Sequence, residues 1–148
     1  MPMYARSLDG FTLVELLLVI ALMLILGAAA YPIGASFFQA QLLDDTANEF
    51  VAILREAQNN ALAQKNDSDF GIKVFTGSYV LFEGSTYATR NEENDELFPL
   101  SRSTVITGID EIIFGKYTGT PAAAATIFLS VRNATTTVSV NTFGTIEQ

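Results

Sequence analysis

The chain has 148 residues, with 16 acidic residues against 8 basic ones and a formal net charge of −8. It contains no cysteine and no histidine, which excludes disulfides, thiol catalysis, a serine–histidine–aspartate triad and a histidine-based metal site. A chain this acidic repels phosphate backbones unless its few basic residues cluster, and here they are scattered, so nucleic acid is a poor partner.

An apolar segment follows a short polar stretch at the start of the chain. Residues 11–31 are apolar except for Thr12, Glu15 and Gly27. A helix of about 20 apolar residues spans the hydrocarbon core of a bilayer, so we expect this segment to cross a membrane. Glu15 is the exception that needs a reason, because a carboxylate at the bilayer centre costs about 2.5–3.5 kcal/mol.

The charges beside the apolar segment predict its orientation. Arg6 and the terminal amine precede it, whereas Asp44 and Asp45 are the first charged residues after it. Because positive charge is retained on the cytoplasmic side, the N-terminus is expected in the cytoplasm and the rest of the chain beyond the membrane.

A second helical pattern runs from Phe37 to about Ala63. Pro32 lies between the two patterns, and a proline inside a helix removes a hydrogen bond and kinks it. We therefore predict one long, bent helix over residues 12–64, with a membrane half (11–31) and an amphipathic half (32–64). Apolar residues in the second half recur at steps of three and four and form one stripe: Leu43, Ala47, Phe50, Leu54, Ala57 and Ala61.

From residue 65 onward the apolar residues follow the period of strands. A hairpin is expected around Thr76-Gly77, an exposed loop over residues 84–96, and an α+β fold in which the long helix packs on a small antiparallel β-sheet head, residues 65–148. The predicted strands are residues 70–75, 78–83, 103–107, 111–115, 126–131 and 135–140. The aromatic residues expected to pack from these strands are Tyr79, Phe82, Phe114 and Phe128.

An acidic cluster lies at the end of the predicted loop: Glu92, Glu93, Asp95 and Glu96. Carboxylate oxygens are ligands for Ca²⁺, but this spacing matches no defined calcium loop. We therefore expect a solvated loop, with no metal site and no cofactor.

The stretch Gly10-Phe11-Thr12-Leu13-Val14-Glu15, with the apolar run after it, resembles the class III signal of type IV prepilins and type II secretion pseudopilins. In that family an inner-membrane prepilin peptidase cuts after the glycine and methylates the new N-terminus. The resemblance implies that residues 1–10 are a leader, that Gly10 determines the cut, and that Phe11 becomes the N-methylated first residue. It also implies that Glu15 is the assembly carboxylate and Pro32 the helix-kinking proline.

The resemblance implies a fold and a function. The fold is pilin-like, and the head is most similar to the GspH/FimT group of minor pseudopilins, with a short final strand near residues 143–148. The function is that of a structural subunit, not an enzyme, in a type IV pilus or a type II secretion pseudopilus. The implied partners are prepilin peptidase, other pilin or pseudopilin subunits, an inner-membrane assembly platform and, before assembly, the lipid bilayer, with the head periplasmic or extracellular.

The resemblance also suggests why a carboxylate stands in the apolar segment. Cleavage after Gly10 would create an amine on Phe11, one helical turn from Glu15, and the two charges can neutralise each other within a subunit or between subunits. The chain departs from the family pattern at Asp9, where most leaders carry lysine or arginine.

Three other interpretations remain open. Ala28-Ala29-Ala30 fits an ordinary secretory signal peptide, whose removal would leave Tyr31 as the first residue. A plain single-pass anchor with a tolerated Glu15 is the second. The third is a filament-tip subunit that binds a secreted protein or DNA, and the DNA version requires a basic patch formed by Arg90, Arg102, Lys116 and Arg132.

Overall fold

The long helix predicted from the sequence is present. The computed structural model describes residues 10–148, and along residues 29–35 it describes the backbone only. One α-helix, α1, runs from Leu13 to Leu62, and the α+β class is confirmed. The chain divides into two compact units, Met1–Phe37 and Phe38–Gln148, so α1 contributes to both.

Eight strands follow α1 in the described part of the chain, and all of them pair antiparallel. They are β1 (Phe70–Phe75), β2 (Ser78–Glu83), β3 (Glu96–Pro99), β4 (Thr104–Gly108), β5 (Glu111–Phe114), β6 (Ala125–Val131), β7 (Ala134–Val140) and β8 (Ile146–Glu147). They form two four-stranded sheets, a first sheet in the order β3-β2-β1-β5 and a second sheet in the order β4-β6-β7-β8. The predicted antiparallel β-sheet head is therefore present, and its strands are divided between two sheets.

The division into two sheets occurs where the chain passes from β4 to β5. Only Ile109 and Asp110 separate these strands, yet β4 pairs with β6 and β5 pairs with β1. Gly108 at the end of β4 has a φ of +109°, and a Cβ there would lie 2.3 Å from the Thr126 carbonyl oxygen. Glycine is required at this point because no other residue fits both the backbone angle and the space.

β3 is the one strand that the sequence pattern did not predict. It is four residues long at the edge of the first sheet, and its Leu97 side chain is 65% exposed. Its residues show no alternation of buried and exposed positions, so the period-two signal that identifies a strand is absent. Its place depends on pairing with β2, in which Tyr79 lies opposite Phe98.

The apolar stripe on the second half of α1 forms the centre of the core, as predicted. Tyr79 of β2 is buried with it, and its ring meets the Phe50 ring edge-on at 5.1 Å between centroids and stacks on Phe98 at 5.2 Å. Burial, together with the nearby Glu49 carboxylate, raises the pKa of Tyr79. The stripe residues are at most 5% exposed: Leu43, Ala47, Phe50, Leu54, Ala57 and Ala61.

Three of the four aromatic residues predicted to pack from the strands are buried. Tyr79, Phe82 and Phe114 are at most 1% exposed, whereas Phe128 is 42% exposed, so the prediction for Phe128 is wrong. β6 alternates strictly, with Ile127 and its alternate neighbours on the core face, and Phe128 therefore falls on the opposite face.

Hydrogen bonds connect α1 to the loops of the head. The Gln58 side-chain amide donates to the Gly119 carbonyl at 2.8 Å and to the Gly144 carbonyl at 2.7 Å. Near the end of the helix, the Tyr117 N–H donates to the Ala61 carbonyl at 3.2 Å. One helical side chain thus holds two loops that are distant in sequence.

Replacement of Gln58 by alanine should destabilise the head. It removes both donors and leaves two partly buried carbonyls without them, so we expect the free energy of unfolding to fall by about 1–3 kcal/mol. Urea denaturation of the full chain in detergent micelles, followed by the near-ultraviolet circular dichroism of the tyrosines, measures the change.

Asn59→Ala is the matched control, because Asn59 is exposed on the same turn of α1. It should change the free energy of unfolding by no more than about 0.5 kcal/mol. Equal effects of the two substitutions would contradict a specific role for the Gln58 amide.

Candidate processing and assembly site

The residues of the predicted processing site lie at the start of α1. Gly10, Phe11 and Thr12 precede the helix, which begins at Leu13. The Glu15 N–H donates to Thr12 Oγ1 at 3.2 Å, and the Leu16 N–H donates to the Thr12 carbonyl at 3.2 Å. Thr12 is therefore the N-cap residue, and its hydroxyl satisfies one of the amides that a helix start leaves without a partner.

The position of Glu15 follows from this cap. It is the third residue of the helix, and Thr-x-x-Glu is the spacing of a capping box. A carboxylate in the first turn also lies near the positive end of the helix dipole. The interpretation of Glu15 as an assembly carboxylate alone missed this local role, although the threonine three residues earlier was a sufficient signal for it.

The peptide bond between Gly10 and Phe11 is accessible. It lies before the helix begins, the Phe11 side chain is 85% exposed, and a Cβ added to Gly10 would meet nothing within 4 Å. A protease binds its substrate in an open, non-helical form, so this bond has the exposure that cleavage requires.

The first half of α1 exposes apolar side chains around its whole circumference. Glu15 is the one charged residue within residues 13–28. A helix that is apolar on all sides needs lipid or other protein to cover it. Twelve large apolar side chains between residues 13 and 26 are 42–74% exposed: Leu13, Val14, Leu16, Leu17, Leu18, Val19, Ile20, Leu22, Met23, Leu24, Ile25 and Leu26.

Over the residues that the structure describes, no helix combines the length and the apolarity that crossing a membrane requires.

Two of the predicted positions cannot be placed in this site. Asp9 lies outside the described residues, as does the rest of the leader before Gly10. Pro32 lies within residues 29–35, where the backbone alone is described and is helical. The kink at Pro32 therefore stays a prediction.

Acidic side chains engage half of the basic residues of the head, namely Lys73, Arg90 and Lys116. Lys116 Nζ lies 3.1 Å from Asp67 Oδ1, and this hydrogen bond, with a second one from the Tyr117 hydroxyl, holds the pKa of Asp67 below its ordinary value. Of the four residues proposed for a DNA-binding patch, Arg102 and Arg132 are exposed, whereas Lys116 and Arg90 engage carboxylates.

Arg90 organises the acidic cluster. Its Nε donates to Asp95 Oδ2 at 2.7 Å, its Nη2 lies 3.4 Å from Glu92 Oε1, and its guanidinium lies 3.8 Å from the centre of the Tyr87 ring. Within residues 10–148 as described, no group of three or more acidic side chains is placed to hold a metal ion. Arg90 thus engages two of the four acids, Glu92 and Asp95. Glu96 is the first residue of β3 and, contrary to the prediction, is not part of the loop.

Removal of the Thr12 hydroxyl should loosen the start of α1. In Thr12→Val the Glu15 amide loses its acceptor, and N-cap replacements of this kind cost about 1 kcal/mol. We expect amide hydrogen exchange at residues 14–16 to become about fivefold faster in detergent micelles, since 1 kcal/mol is about a fivefold change in an equilibrium constant. Thr12→Ser keeps the acceptor and should retain the exchange rates of the parent chain, so unchanged rates in Thr12→Val would refute the cap.

Comparisons with known proteins agree with this geometry. The model of the prokaryotic N-terminal methylation motif matches residues 9–31. No curated protein matches the chain in sequence. Among solved structures, the minor pseudopilin EpsH from the type 2 secretion system of Vibrio cholerae is similar, with a TM-score of 0.55 and 13% sequence identity over 71% of this chain and 94% of that one. The predicted resemblance is confirmed at this level: the chain carries a prokaryotic N-terminal methylation motif, and its fold is similar to that of the minor pseudopilin EpsH.

Proposed function

We propose that the chain is a structural subunit, a minor pilin or pseudopilin, that is cut after Gly10 and assembled through α1. The observation that carries this proposal is the position of the methylation motif, residues 9–31, on a helix half whose apolar side chains are exposed on every side. A surface of this kind is unstable in water and requires a permanent partner. Subunits that bundle their helices supply one.

The chain's role toward the prepilin peptidase is that of a substrate. The bond after Gly10 is exposed and lies outside the helix, and the cut would leave Phe11 as a free N-terminus for methylation. Thr12 and Glu15 lie on the far side of this bond, so the cap of α1 stays intact in the mature chain. Cleavage therefore creates a charged end without unfolding the helix start.

Glu15 has a role in assembly beyond the local cap. After cleavage the Phe11 amine stands directly before the N-cap, so each mature helix starts with a positive amine, a positive dipole end and one carboxylate. Between packed helices in a low-dielectric environment, a carboxylate and an amine attract strongly, and an unpaired one is costly. We propose that this pairing fixes the axial position of one subunit against its neighbour.

The membrane is the partner of α1 before assembly. We propose a single-pass location in the inner membrane, with the N-terminus cytoplasmic and the head periplasmic or extracellular. Arg6 before the apolar segment and the aspartates after it support this orientation. Helices of neighbouring subunits and an assembly platform then replace lipid, and close packing of apolar side chains replaces the lipid contacts.

Replacement of Glu15 by alanine should separate insertion from assembly. Membrane insertion should be unchanged, because the substitution makes the segment more apolar, whereas incorporation into filaments should fall about tenfold or more because the amine of a neighbour loses its carboxylate. The measurement is the ratio of the chain in sheared filaments to the chain in membranes of its own host.

Asp44→Ala is the matched control, since Asp44 is an exposed acid in the second half of α1, and it should assemble normally. The mass of the membrane-bound Glu15→Ala chain confirms that processing is complete, so a loss of assembly cannot be a failure to cleave. Normal incorporation of Glu15→Ala would refute the charge-pair proposal.

A further inference from the structure

A groove lies between the two sheets of the head, on the opposite side of β4 from β6. Its volume is about 400 Å³, within the range of about 300–1,000 Å³ that is typical of binding pockets. One wall is the end of β1 with the β1–β2 turn, residues 73–77, and the other is β4 with its link to β5, residues 104–110.

The β4 wall presents an open strand edge. β4 is the end strand of the second sheet, and none of the groove residues comes from its partner β6. The Ile109 N–H donates to the Thr126 carbonyl beside β6, whereas the Thr104 N–H turns the other way, to the Ser101 carbonyl. Because backbone groups alternate in an antiparallel ladder, the N–H and C=O of Ile106 point to the open edge.

The β1 wall is also incompletely paired. The ladder between β1 and β5 ends at Lys73 opposite Glu111, and the Val74 N–H donates to the Asp110 carbonyl at 2.7 Å. Phe75 and the Thr76-Gly77 turn extend beyond β5. The groove is therefore bounded by backbone on both sides, which suits an extended chain better than a compact ligand.

Exposed apolar side chains line the same groove. Phe75, Val105 and Ile109 are 39%, 55% and 38% exposed, and they come from both walls. In a chain of charge −8, three apolar side chains around two open edges indicate a surface that a partner covers.

The charges at one end of the groove favour one orientation of a bound chain. Lys73 Nζ lies 2.9 Å from Asp110 Oδ2 and 3.3 Å from Glu111 Oε2, so a single cation serves two carboxylates. The Asp110 side chain is 73% exposed at the groove. One uncompensated negative charge remains there, and it favours a lysine or arginine on the occupant.

We infer that this groove binds an extended strand of another protein, with apolar side chains at alternate positions and a basic residue at the Asp110 end. The strand would add to the β4 edge, where its backbone would bond to Ile106 and its apolar side chains would contact Val105 and Ile109. A second copy of this chain is a poor occupant, because two chains of charge −8 repel each other. The inference does not depend on cleavage or filament assembly.

The test uses the full chain in detergent micelles and a fluorescent octapeptide in which valine alternates with threonine and one end is lysine. Fluorescence anisotropy should show saturable binding. The same peptide with alternate backbone amides N-methylated should bind about tenfold more weakly or worse, because it can no longer donate to a strand edge.

Val105→Asp should weaken the binding of the parent peptide about tenfold, since it places an unpaired carboxylate in the contact. Leu97→Asp, on the exposed strand β3, is the matched control, and this variant should bind the peptide with the affinity of the parent chain. A peptide with glutamate in place of its lysine should bind more weakly.

Equal binding of the parent and N-methylated peptides would overturn the inference, and that comparison needs no variant of the protein. So would equal loss in Val105→Asp and Leu97→Asp, or the absence of saturable binding. Dimerisation of the chain that Val105→Asp abolishes would identify a second copy as the occupant and would equally contradict the proposal.

Discussion

Burial of one helix stripe against two sheets is the interaction on which the head depends. Phe50 and Leu54 are fully buried, and such side chains contribute about 1.5–3 kcal/mol each when removed from water. The two sheets share no strand. Residues of α1 and of both sheets belong to one hydrophobic core, so α1 connects the two sheets. Gln58 adds hydrogen bonds from the same helix face to two loops of the head. Without the second half of α1 the core of the head would lose its central residues.

In contrast to its second half, the first half of α1 is exposed. From Leu13 to Leu26 the large apolar side chains are exposed, so the fold of one chain leaves that surface uncovered. A cap at Thr12 defines where the helix starts, and it places Glu15 in the first turn, where the helix dipole favours a carboxylate. Glu15 is thus stabilised locally, which explains how an acid persists in an apolar segment.

Much of the fold was predictable because its residues follow strong periods. The α1 stripe and seven of the eight strands were predicted, since steps of three and four, and of two, report burial directly. β3 has no such period and exists through its pairing with β2. The separation into two sheets depends on the backbone at Gly108, which composition does not reveal. The exposure of Phe128 could have been predicted, because in the alternating strand β6 it shares a face with Thr126 and Ser130. At the start of α1 the motif drew on the glycine, the phenylalanine and the charge of Glu15, whereas the Thr12 cap is signalled by a different feature, the three-residue spacing from threonine to glutamate.

We propose that the chain becomes an assembly subunit when a cut after Gly10 frees the amine of Phe11. Intact mass and N-terminal sequencing of the protein isolated from its own membranes test this proposal. We expect a chain that begins at N-methylated Phe11 and retains Thr12 and Glu15. A chain that begins at Tyr31 would show an ordinary signal peptide, and an uncut chain would show a plain anchor; either result would contradict processing after Gly10.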